Sequence, residues 1–439
     1  MSNSAFPASK TAIIGGGYAG MAAAVTLAEN GIPVTVFESA KQLGGRARGL
    51  VLHDTQLDNG QHILLGCYHR TIKLIEQVGG NISHDFQRLP LQLTLHKRFE
   101  LKAPRLPAPL HLLAGFLLAK GINYTARMHA ARFMLSMRLI NFRLMTDISV
   151  IELLHLHGQD EELIRLLWEP VCISALNTPI KKASAQILLN VLRDSLNGSR
   201  SDSDMLLPRV DLSALFPDRA AQYVSDRGGK VNFSCGIESI TRHHQGFKLQ
   251  STQGIEYFDK VICAASASSI IRLLNTLPTL SELVKQIEAI TYQPIYTLYL
   301  KYPSDVQLPH PMMGLDRCIS QWLFDKGQIA GQPGLIAAVI SAEGVHQEWS
   351  HEQLTQKVIE ELRVQFGILK RPDWHQVIAE KRATFSCVAN LSRPSHLTQE
   401  ENLLLAGDFT AGEYPATIEG AVISGTHCAN EVIRQTRLH

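Results

Sequence analysis

Hydrophobic positions along this 439-residue chain fall into two rhythms. Thr11-Ala-Ile-Ile14 is a continuous apolar run rich in β-branched residues, and an Ala-rich stretch over 18–30 follows it; the pattern predicts a buried strand running straight into a helix. Val34-Thr-Val-Phe37 predicts a second strand. Near the other end, Leu403-Leu-Leu-Ala406 predicts a buried strand, with a helix from Ile418 onward. The middle differs. Leu106-Pro-Ala-Pro-Leu-His-Leu-Leu-Ala-Gly115 is apolar and helix-prone after its prolines, and 125–145 carries Arg, Met, Leu and Phe at helical spacing. Short helices are expected over 147–157 and 160–168. Strand character returns at Lys230-Val-Asn-Phe233, Phe247-Lys-Leu-Gln250 and Lys260-Val-Ile-Cys-Ala-Ala265, and then at Ile295–Leu300 and Leu335–Ile340. No apolar run approaches the roughly 20 residues of a membrane-spanning helix.

The junction of the first strand and helix reads Gly15-x-Gly17-x-x-Gly20. In such a turn the first glycine permits the tight bend, the second lets backbone approach a pyrophosphate, and the third allows close helix–strand packing. The helix N-terminus then offers N–H groups and the positive end of its dipole to phosphate. Glu38 closes the second strand, where an acid accepts hydrogen bonds from an adenosine ribose. A bare tight turn, or a site for NAD, would share this fragment. Gly44-Gly45-Arg46-Ala-Arg48 adds a second glycine turn and a planar multi-donor cation suited to a second approach to phosphate or to a flavin; a solvated surface pair is the competing reading. At the far end, Gly407-Asp408 ends the Leu403 strand, placing a carboxylate for ribityl hydroxyls, or else a turn or helix cap. Pro415-Ala-Thr-Ile-Glu419-Gly-Ala421 opens a helix whose positive end suits the pyrimidine edge of a reduced flavin. The two ends together predict FAD and hence redox chemistry.

Composition narrows the class. With 42 Lys and Arg against 40 Asp and Glu, the chain gives no support for nucleic-acid binding. Its length and 45% hydrophobic content support two domains with ample core. Seven cysteines lie singly, with no CxxC, which fits buried thiols in a reducing compartment and neither a disulfide framework nor a metal site. No charged-then-apolar leader precedes Thr11, so a cytoplasmic location is expected. Residues 1–85, 226–290 and 395–439 are read as a discontinuous nucleotide-binding domain, with 86–225 and 291–394 forming an inserted substrate domain.

Several strings extend the pattern in order along the chain. They are Asp58-Asn-Gly-Gln-His62-Ile-Leu-Leu-Gly66-Cys-Tyr, the Leu106 string, Trp168-Glu-Pro-Val-Cys-Ile-Ser-Ala-Leu-Asn177-Thr-Pro179, Gln321-Trp-Leu-Phe-Asp-Lys-Gly327 and the Pro415 string. With the end motifs they resemble the amine oxidase / phytoene desaturase superfamily of flavoproteins, and within it the hydroxysqualene dehydroxylases of bacterial hopanoid pathways. The resemblance implies an α/β fold: a Rossmann-like FAD-binding domain (discontinuous, GR2-type) with an inserted α+β substrate domain. It implies FAD contacts from Gly15, Gly17, Gly20, Glu38, Gly45, Arg46, Gly407, Asp408 and Glu419, with Val231 and Ala264 beside the adenine. Amine oxidases often place a lysine near the flavin; Lys301 is read instead as a surface residue at a strand end. The implied substrate is a C30 isoprenoid with one allylic hydroxyl, removed reductively to give squalene. No separate nicotinamide motif names the electron donor.

Ionising an allylic C–OH needs an acid for the departing oxygen and a dry site for the cation. His62 is the candidate acid, with a purely positioning role as its alternative. Asp58 is read as a turn residue and Asn177 as a cap or a polar contact in the substrate wall. Trp168 is core or faces the cation, and Tyr414 contacts flavin or substrate. Because a C30 hydrocarbon barely dissolves in water, 106–120 is a candidate membrane contact at the inner membrane. Arg127, Arg132, Arg138 and Arg143 would meet anionic head groups; a buried helix with a solvated basic face is the alternative. The competing functions are a carotenoid-type desaturase, an amine oxidase, and a non-catalytic prenyl-binding protein of the GDI type.

Overall fold

The computed structural model describes residues 10–196 and 198–437. The segment on which the expected absence of a leader rests therefore lies mostly outside the described residues.

A five-stranded parallel sheet carries the two ends of the chain. Its order is Lys230–Asn232, Val34–Phe37, Thr11–Ile14, Lys260–Cys263 and Leu403–Leu405. The last three strands are buried along their whole length, which is why their sequences are continuous apolar runs. Helix Tyr18–Glu29 packs against helix Ile418–Arg437 on this sheet. Their approach is close enough that a Cβ on Gly425 would lie 1.9 Å from the carbonyl oxygen of Ala19.

A second, seven-stranded sheet runs in the order Trp374–Phe385, Tyr292–Lys301, Leu335–Ser341, Trp322–Asp325, Met312–Gly314, Gln92–Leu95 and Phe99–Lys102. The last two strands lie in a stretch whose sequence drew attention only for its helices. Each is four residues long, too short for alternation to stand out. Helices Leu110–Leu117, Tyr124–Leu139, Val150–Leu156 and Ala185–Leu196 form the helical part.

Two boundaries differ from expectation. The helix expected over 125–145 stops at Leu139, because Asn141 and Phe142 take φ of +52° and +55° and the Phe142 N–H turns back to Met137 O at 2.8 Å. Helix Pro217–Ser225, assigned to the insert, packs on Tyr18–Glu29, with the Phe216 ring 5.5 Å from Tyr18. Its apolar stripe predicts a buried face but not which neighbour buries it.

Candidate active site

The strand Thr11–Ile14 delivers the chain into Gly15 at φ +112°, where a Cβ would lie 2.7 Å from Ala264 O. On the first helical turn, a Cβ at Gly20 would lie 2.0 Å from Gly15 O. Gly17 is different in kind. A Cβ there would meet nothing closer than Gly45 Cα at 3.9 Å, so it borders a cleft walled by backbone. The Gly44 N–H donates to Gly16 O at 2.9 Å and Gly17 bridges Gly44, which sets the two glycine turns side by side. Helix Tyr18–Glu29 opens with no side-chain cap and no acid in its first turn, leaving its N-terminus to an anion. Glu38 braces this loop from behind: Oε2 accepts from Gly16 N–H and Oε1 from Ala40 N–H, both at 2.7 Å. Oε1 also accepts from Ser39 Oγ at 3.3 Å, so Oε2 is the oxygen that keeps a lone pair for a ribose hydroxyl. Val231 lies partly buried on the neighbouring strand, in register with Val36, and the Ala264 N–H donates to Ile14 O at 2.8 Å.

The second turn meets the C-terminal segment through Arg46. Its Nη2 donates to Asp408 Oδ1 at 2.6 Å and its Nη1 to Ala383 O at 2.6 Å. Behind Asp408, the Gly407 N–H donates to Ser424 Oγ at 2.9 Å, and Arg393, which the sequence reading did not single out, gathers the carbonyls of Gly412 and Tyr414. Two buried hydroxyls on the strand Tyr292–Lys301 have no partner among the described residues: Tyr292 OH, within the field of Arg46 and Asp408, and Thr297 Oγ1, beside Gly60. A buried hydroxyl left unpaired costs about 1–3 kcal/mol. An uncapped helix N-terminus, a backbone-walled cleft and orphaned hydroxyls along one path fit the phosphates, ribityl chain and polar ring edge of FAD.

His62 projects from the turn that follows Asp58. Its Nδ1 lies 2.8 Å from Gly60 O, and since a carbonyl only accepts, Nδ1 carries the proton. Nε2 has no partner among the described residues. Burial, and beyond it the Arg46 cation, hold this imidazole below its ordinary 6.5 even though the Gly60 bond favours the charged form.

Beneath the turn lies a charged layer that the sequence reading missed. Asp58 is 3% exposed, and burial pushes its carboxyl up to about 6, against the opposing pull of the Lys326 ammonium and of the Leu212 N–H that reaches Oδ1 at 2.9 Å. Lys326 is 4% exposed; its Nζ donates to Gln61 Oε1 at 3.4 Å, and burial lowers its pKa while Asp58 and Asp211 raise it. The Tyr299 hydroxyl donates to Asp58 O at 3.0 Å. The one sequence signal was Asp325-Lys326 ending an apolar strand: Asp325 caps the next helix, and Lys326 stays inside. Lys301 ends its strand with its ammonium on Pro333 O.

Four candidate site residues have their side chains engaged within the protein; Asn177, which ends helix Glu169–Leu176 in the left-handed conformation, and Trp168 follow the cap and core readings given for them. Asn177 spends its side chain joining the helical part to the seven-stranded sheet: Nδ2 donates to Thr384 Oγ1 at 2.9 Å and Pro294 O at 3.3 Å, and Oδ1 accepts from Ala342 N–H at 2.7 Å. Trp168 is core, 1% exposed, edge-on to Phe133 at 4.9 Å with Nε1 on Gln159 Oε1. The Tyr414 hydroxyl donates to Asp194 at 2.8 Å. Glu419 caps helix His69–Gln77, accepting from the N–H groups of Arg70 and Thr71 and from Thr71 Oγ1 at 2.6–3.0 Å. A carboxylate is drawn there by the positive end of that helix.

A Rossmann-like glycine cradle, with the Arg46–Asp408 pair joining the two ends of the chain beside it, is the arrangement of a flavin-dependent oxidoreductase. The family model described as flavin containing amine oxidoreductase matches residues 18–433, and the chain belongs to that family, with FAD as its cofactor. Within it, the chain is similar to hydroxysqualene dehydroxylase of Zymomonas mobilis, 29% identical over 96% of this chain and 98% of that one. It is similar to the protein of the same name from Sinorhizobium fredii, 27% identical over 97% and 98%. Zeta-carotene desaturase of Arabidopsis thaliana is 23% identical over 97% of this chain and 85% of its own. An oxidoreductase structure from Methanosarcina mazei has the same fold, with a TM-score of 0.76 at 16% identity over 97% of this chain and all of that one.

Proposed function

We propose that the enzyme removes the allylic hydroxyl of hydroxysqualene reductively to give squalene. The observation that carries this reading is end-to-end kinship with hydroxysqualene dehydroxylases, at higher identity than with the desaturase. In the reaction the allylic C–O bond breaks, the oxygen takes a proton and leaves as water, and a hydride reaches the carbon. Reduced FAD, when bound, supplies that hydride.

The chain's own residues do the rest. Gly15, Gly17, Gly20, Glu38, Gly45, Arg46, Val231, Gly407 and Asp408 hold the cofactor. His62 carries a proton to the departing oxygen at Nε2, since Nδ1 is committed to Gly60 O. Because its pKa is lowered, the protonated form grows as pH falls below 6.5. Tyr292 and Thr297 offer hydroxyls to the cofactor edge or to the substrate oxygen. The site must also exclude water, which would return the cation to an alcohol.

Anaerobic incubation of photoreduced enzyme with synthetic hydroxysqualene, products read by mass, tests the reading. Squalene, formed in step with flavin reoxidation, is expected. Unchanged substrate with the flavin fully reduced would overturn it, and desaturation of ζ-carotene by the oxidised enzyme would replace it with the desaturase reading.

A further inference from the structure

We infer that the face built by helices Leu110–Leu117 and Tyr124–Leu139 docks on an anionic lipid bilayer. Both helices are apolar on two sides. Leu112 and Phe116 of the first, and Ala130, Phe133 and Met137 of the second, are buried in the protein. The opposite sides carry Leu113 and Leu117, and the stripe Met128, Leu135 and Leu139 at helical spacing, all exposed. Among the described residues, eleven of the twenty exposed large apolar side chains fall between Leu106 and Met145. A patch this concentrated marks an interaction surface.

Charge identifies the occupant. From residue 101 to residue 146 there is no Asp or Glu, while seven Lys and Arg occur. Lys102 and Lys120 pair with Glu100. Arg105, Arg132, Arg138 and Arg143 have no carboxylate within 4 Å among the described residues, and all four are exposed. A second copy seated on this face would set cations against cations. A layer of anionic head groups over acyl chains complements both the arginines and the leucines. Neither helix is long and apolar enough to cross a membrane, so both lie in the interfacial plane. The inference stands on this surface alone and is independent of the reaction proposed above.

The test is flotation of the full-length, FAD-loaded protein with vesicles of phosphatidylcholine alone or mixed with phosphatidylglycerol. The protein is expected to float with the mixed vesicles, to bind the neutral ones far less, and to be released by high salt. Each arginine removed at Arg132 or Arg138 is expected to lower the partition coefficient about five-fold. The pair Leu113→Asp and Leu135→Asp should abolish flotation while flavin absorbance, and hence the fold, is retained. Wild-type protein that stays out of the anionic vesicle fraction overturns the inference, as do variants that float as wild type does. A dimer lost on Leu135→Asp, with no flotation, would assign the face to a second copy instead.

Discussion

The Arg46 guanidinium and the Asp408 carboxylate meet at 2.6 Å across 362 positions of sequence, each supplied by a turn that ends a different approach to the cleft. Asp408 is the chief reason the Arg46 pKa is raised. Each side chain holds the other in place.

Arg46→Ala and Asp408→Ala are each expected to weaken FAD retention by about 10–100-fold, the range of one charged hydrogen bond. Because the two groups act as a pair, the double variant should lose less than the product of the single losses. Equilibrium dialysis of FAD against the apoprotein measures all three.

Asp58 sets a pH dependence of stability. Its carboxyl binds a proton at about 6 in the fold against 3.8 ordinarily, so between those values the folded state holds a proton that the unfolded chain has released. Stability therefore falls as pH rises from about 4 to about 6, by roughly 3 kcal/mol, and stays down above that. Asp58→Asn should remove this slope. Lys326→Met, which deletes the cation that holds the carboxyl down, should carry the decline to higher pH. Urea midpoints across the range check both.

Turnover should depend on pH through His62. If its Nε2 delivers the proton, the rate of the reductive half-step rises as pH falls through a value below 6.5. His62→Gln, which keeps a donor of similar size but does not titrate, should flatten that profile and lower the rate by about 10²–10⁴-fold. A residual profile identical to that of the wild type would return His62 to a positioning role.

Asn177→Ala strands Thr384, Pro294 and the Ala342 N–H in the interior and puts a Cβ residue other than Asn at φ +45°. A loss of about 2–4 kcal/mol in chemical denaturation is expected, with Asn177→Gly recovering only the backbone share.

The nucleotide half of the molecule was legible because its logic is local. Gly15, Gly17 and Gly20 sit at fixed offsets from a strand, and Glu38 closes the next strand in the same unit. What escaped notice depends on tertiary placement. Around Lys326 the sequence offers only Asp325-Lys326 at the end of an apolar strand, which does not say whether the lysine stays buried or reaches solvent, and the helix that Glu419 caps begins 350 positions earlier. Asn177 and Tyr414 looked like site residues because they stand beside motif strings. Their polar groups are in fact used up by neighbours the sequence does not name. Trp168 shows the same limit from the other side: an aromatic suited to a cation is enclosed by Phe133 and Gln159.

The parallel sheet has a consequence for biosynthesis. Thr11–Ile14 lies at its centre, and the strand Leu403–Leu405 completes one edge. At about 5–20 residues per second, a ribosome needs roughly 20–80 s to supply that last strand after the first has emerged. Until then Lys260–Cys263 has an open side, and Asp408 does not yet exist to meet Arg46. Cofactor loading is therefore a late event, and an mRNA truncated shortly before codon 403 should yield a nascent polypeptide dependent on chaperones and devoid of yellow colour.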